Sequence, residues 1–146
     1  SKHFIYRFKD SAASFSGGAQ TRFTPSNICD YMIFDNERRT LFLCELKSTK
    51  QASLSLNSIR KNQIKELTNA SQYNNIVCGF VVNFREKGNA TCFLNIKDFN
   101  RMMESWEKKS INIQDIKENN GIEISNELKR SRYKYDIEKF IHEVKG

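Results

Sequence analysis

Ile28-Cys29-Asp30-Tyr31-Met32-Ile33-Phe34, the polar run Asp35-Asn36-Glu37-Arg38-Arg39, and then Thr40-Leu41-Phe42-Leu43-Cys44-Glu45-Leu46-Lys47 form the stretch from which the fold is read. Both flanks are apolar, aromatic or β-branched and the middle is polar, so the segment predicts two strands joined in a hairpin. Three charges interrupt them. Asp30 breaks the first arm, and Glu45 and Lys47 break the second. Burying a carboxylate or an ammonium is costly unless it is paired or bound to a metal, so these charges need a reason. Strand geometry supplies part of it: Glu45 and Lys47 are two apart and share a face. Pairing supplies the rest, because Asp30 lies five residues before Asp35 and Glu45 six after Arg39, which brings the two acids together across the hairpin.

Outward from this hairpin the chain continues to alternate strand and helix signals. Phe4 to Phe8 alternates enough for a short strand, whereas residues 11–26, rich in Ser, Ala, Gly and Thr, read as a long loop. Ile59, Gln63, Leu67 and Ala70 recur at helical spacing in a helix over 58–70, with Ser58 or Asn57 as N-cap. Ile76–Phe84 and Ala90–Leu94, joined by Arg85-Glu86-Lys87-Gly88-Asn89, make a second hairpin. Asp98–Lys108 reads as a helix with Phe99, Met102, Met103 and Trp106 facing the core. Residues 110–124 alternate weakly around Ile111, Ile113 and Ile116. Tyr135–Val144 carries Ile137, Phe140, Ile141 and Val144 as the apolar face of a closing helix. The expected fold is therefore α/β, a mixed sheet with helices packed on it.

Composition bounds the rest. A chain of 146 residues, 38% hydrophobic, has room for one domain and one core over 1–146. Its eleven Phe and five Tyr argue against disorder. The longest apolar run, Ile76–Phe84, contains Gly79 and Asn83 and is far shorter than a membrane span, so no membrane role is expected. The start, Ser1-Lys2-His3-Phe4, has no apolar leader core. Cys29, Cys44, Cys78 and Cys92 stand singly among apolar residues without a CxxC pair, which points to buried free thiols in a cytoplasmic protein rather than to zinc or disulfides.

Charge gives the first hint of a partner. The net charge is +7, and residues 1–100 hold 14 Lys and Arg against 8 Asp and Glu, so the excess sits around the hairpin. Such a balance suits a polyanion such as DNA, because phosphates reward Lys and Arg through counterion release. Two carboxylates sharing a hard cation beside a lysine meet the needs of metal-assisted phosphodiester hydrolysis. Gln63, on the otherwise apolar helix face of Ile59 and Leu67, points its amide toward the sheet, within reach of the phosphate, water or a carboxylate.

Asp30, a spacer of fourteen residues and Glu45-Leu46-Lys47 together resemble the PD-(D/E)xK, or restriction-endonuclease-like, nuclease superfamily. The wider order looks like the RecU-type Holliday junction resolvases: Cys29-Asp30-Tyr31, Cys44-Glu45-Leu46-Lys47-Ser48, Leu54-Ser55-Leu56-Asn57-Ser58-Ile59, then Asn62-Gln63 and Gly79-Phe80-Val81-Val82-Asn83-Phe84. The resemblance covers about residues 20–124 and implies an endonuclease that cuts branched DNA as a homodimer, using Mg²⁺, with Mn²⁺ able to substitute. It places Asp30, Glu45 and the Leu46 carbonyl around the metal, with Lys47 and Gln63 beside the phosphate. The short, Asn/Lys-rich chain looks like a phage or mobile-element version of this fold.

DNA-contact candidates are Arg22, Lys50, Arg60 and Lys61, which flank the motif, and the basic run Lys129, Arg130, Arg132 and Lys134 just before the closing helix. The superfamily usually adds an acid from a helix ahead of the first strand, and ahead of Asp30 this sequence has only Asp10. A second reading is therefore a nucleic-acid-binding module of the same fold without cleavage, and a third is a protein-binding regulator with little affinity for DNA.

Overall fold

The computed structural model describes residues 3–9, 27–86 and 88–124. The hairpin forms as the sequence predicts. β2 (Tyr31–Asp35) pairs antiparallel with β3 (Thr40–Thr49), with Tyr31 opposite Cys44 and Asp35 opposite Thr40. Its turn is held from within: Asp35, fully buried, accepts from Arg38 Nη1 at 3.0 Å and from the Glu37 N–H at 3.2 Å. Burial alone would raise the Asp35 carboxyl, but these donors outweigh it and hold the group below the usual carboxylate range. Arg39 takes up the left-handed backbone of the turn, with φ 51°.

On the outer side β1 (His3–Arg7) adds antiparallel to β2. On the inner side β3 lies parallel to β5 (Ile76–Phe84), in register from Leu41 opposite Ile76 to Thr49 opposite Phe84. Parallel strands need a crossover, and α1 (Lys61–Ala70) provides it. β5 then turns into β6 (Ala90–Asn95) as the expected second hairpin, and β8 (Ile122–Ile124) closes that edge. The resulting sheet has six strands in the order β1-β2-β3-β5-β6-β8. β4 (Ser53–Ser55) and β7 (Ser110–Asn112) form a separate two-stranded ribbon.

Alternation sorts the side chains between two faces. Leu43, Cys78, Phe80, Val82, Cys92 and Leu94 point to the face covered by α1 and by α2 (Ile96–Met103), where Leu67, Phe99 and Met102 are buried against them. Ile33, Phe42, Cys44, Val81, Phe93 and Ile124 form a smaller cluster on the opposite face. β3 and β5 thus bury side chains on both faces, which is why they read as near-continuous apolar runs.

Helix boundaries differ from the sequence reading where local capping decides them. Ser58 belongs to a short 3₁₀ turn, Leu56–Ser58, capped by Ser55, and α1 begins after Arg60. α2 starts at Ile96, because Asn95 accepts from the Lys97 N–H, and ends at Met103, five residues before the expected Lys108. The weak alternation over 110–124 resolves into β7, α3 (Ile113–Glu118) and β8. Asn112 and Asp115 fix the start of α3 by exchanging backbone-to-side-chain bonds of 2.8 and 2.9 Å. The expected 11–26 loop and closing helix lie outside the described residues. Among the described residues, no helix is long and apolar enough to cross a membrane.

Candidate active site

Asp30 is the residue just before β2, and its N–H donates at 3.1 Å to the carbonyl of Cys44, the residue opposite Tyr31, so the pairing slips by one position here. Glu45 lies two residues from Leu43 and so on the same helix-covered face, and the Asp30 carboxyl stands against its carboxyl there. The Asp30 side chain turns along β3, and its Oδ2 accepts the Leu46 N–H at 2.8 Å. Glu45 is 8% exposed and receives Gln63 Nε2 on its Oε2 at 2.8 Å. Lys47 Nζ lies 3.8 Å from the same Oε2 and donates to the Ser58 carbonyl at 2.8 Å. Asp30, Glu45, Lys47 and Gln63, chosen from sequence, are thus brought together by two neighbouring strands and the first turn of α1.

The amide of Gln63 is oriented at both ends. Its Oε1 accepts the Arg60 N–H at 3.0 Å, satisfying one of the free donors at the start of α1, which leaves Nε2 to reach Glu45. One side chain therefore both caps the helix and ties it to the sheet. Ser58 was not foreseen as part of the site. Its contribution is a backbone carbonyl, which any residue has, so no side-chain pattern marks it.

The electrostatics are those of a pair of acids without enough positive charge between them. Burial pushes the Glu45 carboxyl up to about 7, the Asp30 carboxylate facing it pushes the same way, and Lys47 opposes both only in part. Two carboxylates, with the backbone carbonyl of Leu46 next in sequence to Glu45, offer only hard oxygen donors. Cys29 is next in sequence, but burial holds its thiol up at about 12 and it donates to the Tyr31 carbonyl, so no soft ligand joins the set. His3 lies on the other face beside Asp35, at 3.9 Å. Among the described residues no group of three or more His, Cys, Asp or Glu is placed to hold a metal ion between them. A small hard cation fits this donor set, since Mg²⁺ keeps several waters and is held by one or two carboxylates plus substrate phosphate rather than by a full protein cage.

Of the basic candidates, Arg60 and Lys61 are exposed at the start of α1, the end that carries Gln63. Lys50 is exposed just past the end of β3. Arg22, Lys129, Arg130, Arg132 and Lys134 lie outside the described residues, as does Asp10.

The family described as Recombination protein U, RecU, matches residues 7–135. A Bacillus subtilis (strain 168) protein, SPbeta prophage-derived uncharacterized protein YotM, is 34% identical over 158 residues, covering 98% of this chain and 78% of its own. In structure the chain is similar to Archaeoglobus fulgidus Hjc, a Holliday junction resolvase from an archaeal hyperthermophile, with a TM-score of 0.51. That match covers 84% of this chain and 83% of the other at 15% identity, a likeness of fold. With the family's match spanning most of the chain and the acids standing together across the expected hairpin, the protein belongs to the RecU, or Recombination protein U, family.

Proposed function

We propose that this chain is a divalent-metal-dependent endonuclease that cuts branched DNA, with Mg²⁺ as its usual ion and Mn²⁺ able to replace it. The observation that carries the reading is the facing pair Asp30 and Glu45 with Lys47 and Gln63 on one of its oxygens. Asp30, Glu45 and the Leu46 carbonyl would hold the cation. When bound, the cation supplies Lewis acidity, neutralising charge on the phosphate and acidifying water. Lys47 keeps N–H donors beyond the one given to Ser58, so its ammonium can meet the charge that grows on the phosphoryl oxygens. Gln63 offers its amide to the same place. Lys50, Arg60 and Lys61 would grip the flanking phosphates, joined by Arg22, Lys129, Arg130, Arg132 and Lys134. A homodimer would present two such sites to a symmetric junction. The prophage description of YotM supports a phage origin, and the four buried free thiols suit the reducing cytoplasm.

The test is a nicking assay on a four-way junction and on linear duplex, with Mg²⁺ or Mn²⁺, comparing wild type with Asp30→Asn and Lys47→Ala. Cleavage of the junction by wild type alone is expected. Equal residual activity in all three proteins would instead leave a module that binds DNA without cutting it, the reading favoured by the scarcity of acids ahead of Asp30.

A further inference from the structure

β1 is an edge strand, yet it leaves large apolar side chains in solvent. Phe4 is 56%, Ile5 45% and Tyr6 44% exposed, and the only other large hydrophobic exposed among the described residues is Tyr73. Exposed apolar edges invite unwanted pairing, so such a row calls for a purpose. Its position gives one. Phe4 pairs with Phe34 and Tyr6 with Met32, and the Phe8 N–H donates to the Asp30 carbonyl at 2.9 Å. Met32 pairs in turn with Leu43, so residues 4, 6 and 8 share the sheet face of Glu45 and Lys47, where the Asp30 carboxyl also stands. The row of Tyr6 stands about 7 Å along the strands from that of Asp30, two residues away. Phe8 packs against the core and braces Tyr6 edge-on, with ring centroids 5.1 Å apart and planes at 81°.

We infer that Phe4 and Tyr6 form a stacking platform for nucleobases beside the scissile phosphate, and that the bases it takes are those whose own stacking is interrupted, as at a branch point. This rests on the DNA-cleaving reading above and names the substrate feature that the same site selects. A base inside a continuous duplex has both π-faces covered and gives these rings nothing to hold; a base at the exchange point of an open junction, whose arms are not stacked on each other, has one free to stack on an aromatic ring. Charge agrees, since residues 3–9 carry His3, Arg7 and Lys9 and no acid. A second copy of the chain is the poorer occupant. Antiparallel edge pairing centred on Ile5 would set Arg7 opposite His3 of the second copy, basic residue against basic residue at both ends, which is unfavourable across a strand pair.

The experiment uses the full chain in EDTA, so that nothing is cut, with a four-way junction carrying 2-aminopurine at the exchange point and a linear duplex carrying it centrally. Wild type is expected to change the junction probe's fluorescence and to bind the junction more tightly. Phe4→Ser with Tyr6→Ser should lose the fluorescence change and weaken junction binding about 10-fold or more, leaving duplex binding within twofold; Tyr6→Trp should preserve both. Thermal melts within a few degrees of wild type confirm that the variants fold. An unchanged junction affinity and fluorescence in the double variant overturns the inference. So does loss of a dimer on sedimentation with DNA binding intact, which makes this edge a contact between copies. If the double variant cuts junctions with the wild-type preference over duplex in Mg²⁺, the platform is wrong and the nuclease reading stands. If wild type never cuts but the probe response depends on both rings, the platform stands and the nuclease reading falls.

Discussion

Gln63 and Glu45 are joined by a 2.8 Å hydrogen bond between residues eighteen apart in sequence, the amide of a helix donating to a carboxylate buried in a sheet. Because the same amide caps α1 through Arg60, the bond fixes where the first turn of the helix stands relative to the acids. Gln63→Ala is expected to cut junction cleavage about 10- to 100-fold, the worth of one hydrogen bond to a charged group. Loss of the cap should cost only about 0.5–1 kcal/mol of stability. Single-turnover rates alongside thermal melts check this; a stability loss that fully accounts for the rate loss would reduce Gln63 to a structural tie.

Lys47→Ala should lower cleavage by about 10²- to 10³-fold, in line with removing one preorganised donor from a phosphoryl-transfer site. Binding of junction DNA in EDTA should change little, because one charge among many phosphate contacts is lost. Lys47→Arg should not restore the rate, since a planar guanidinium cannot take the place of a compact ammonium held on the Ser58 carbonyl. Full rescue by arginine would mean that Lys47 acts only as a positive charge.

The Glu45 carboxyl gives a pH dependence with a definite sign. Its folded-state value is raised from 4.5 to about 7, so the folded protein holds the proton more tightly than the unfolded chain. The stabilisation from that proton is complete below about pH 4.5 and is lost as pH climbs through 7. Metal-free protein should therefore lose about 2 kcal/mol between pH 5 and pH 8 through this group. Glu45→Gln should flatten that part of the profile. A divalent cation competes with the proton, so Mg²⁺ should raise the melting temperature more at pH 8 than at pH 5.5, and not at all in Glu45→Gln. Equal slopes in the two proteins would place the proton elsewhere.

Gly79 on β5 tests the sheet rather than the chemistry. A Cβ there would lie 2.4 Å from the Leu94 carbonyl oxygen, too close without backbone movement, and 2.7 Å from the Phe93 ring, which would have to shift as well. Gly79→Ala should destabilise the fold by about 3 kcal/mol, measured by urea denaturation. Gly88, in a left-handed turn at φ 67° with open space around its Cα, should be far less sensitive to steric contact, its cost coming from backbone strain.

Much of the site was legible because it depends on period two. Asp30, Glu45 and Lys47 are charges in or beside apolar strands, and a hairpin turn of known position brings the two acids together. Gln63 was legible for the matching reason, a polar residue on an apolar helical stripe. The features that were not legible have no side-chain signature: the Ser58 carbonyl under Lys47, the parallel pairing of β3 with β5, and the capping exchange that starts α3. Nor could the sequence show that Phe4 and Tyr6 stand exposed, since alternating aromatics in a short strand read equally well as core.

The parallel pairing of β3 with β5 also orders events in time. The Asp30–Glu45 hairpin spans a short loop and can close within microseconds, while the β3–β5 ladder must wait for a crossover that includes α1. Until that long-range ladder forms, Gln63 and Ser58 have no fixed place over the acids, and the Glu45 carboxyl remains in water with ordinary acidity. The nascent chain therefore carries its acids early and its chemistry late: the reactive environment arises in the same cooperative step that completes the sheet, so a partly folded molecule has the carboxylates of a nuclease without the geometry to cut.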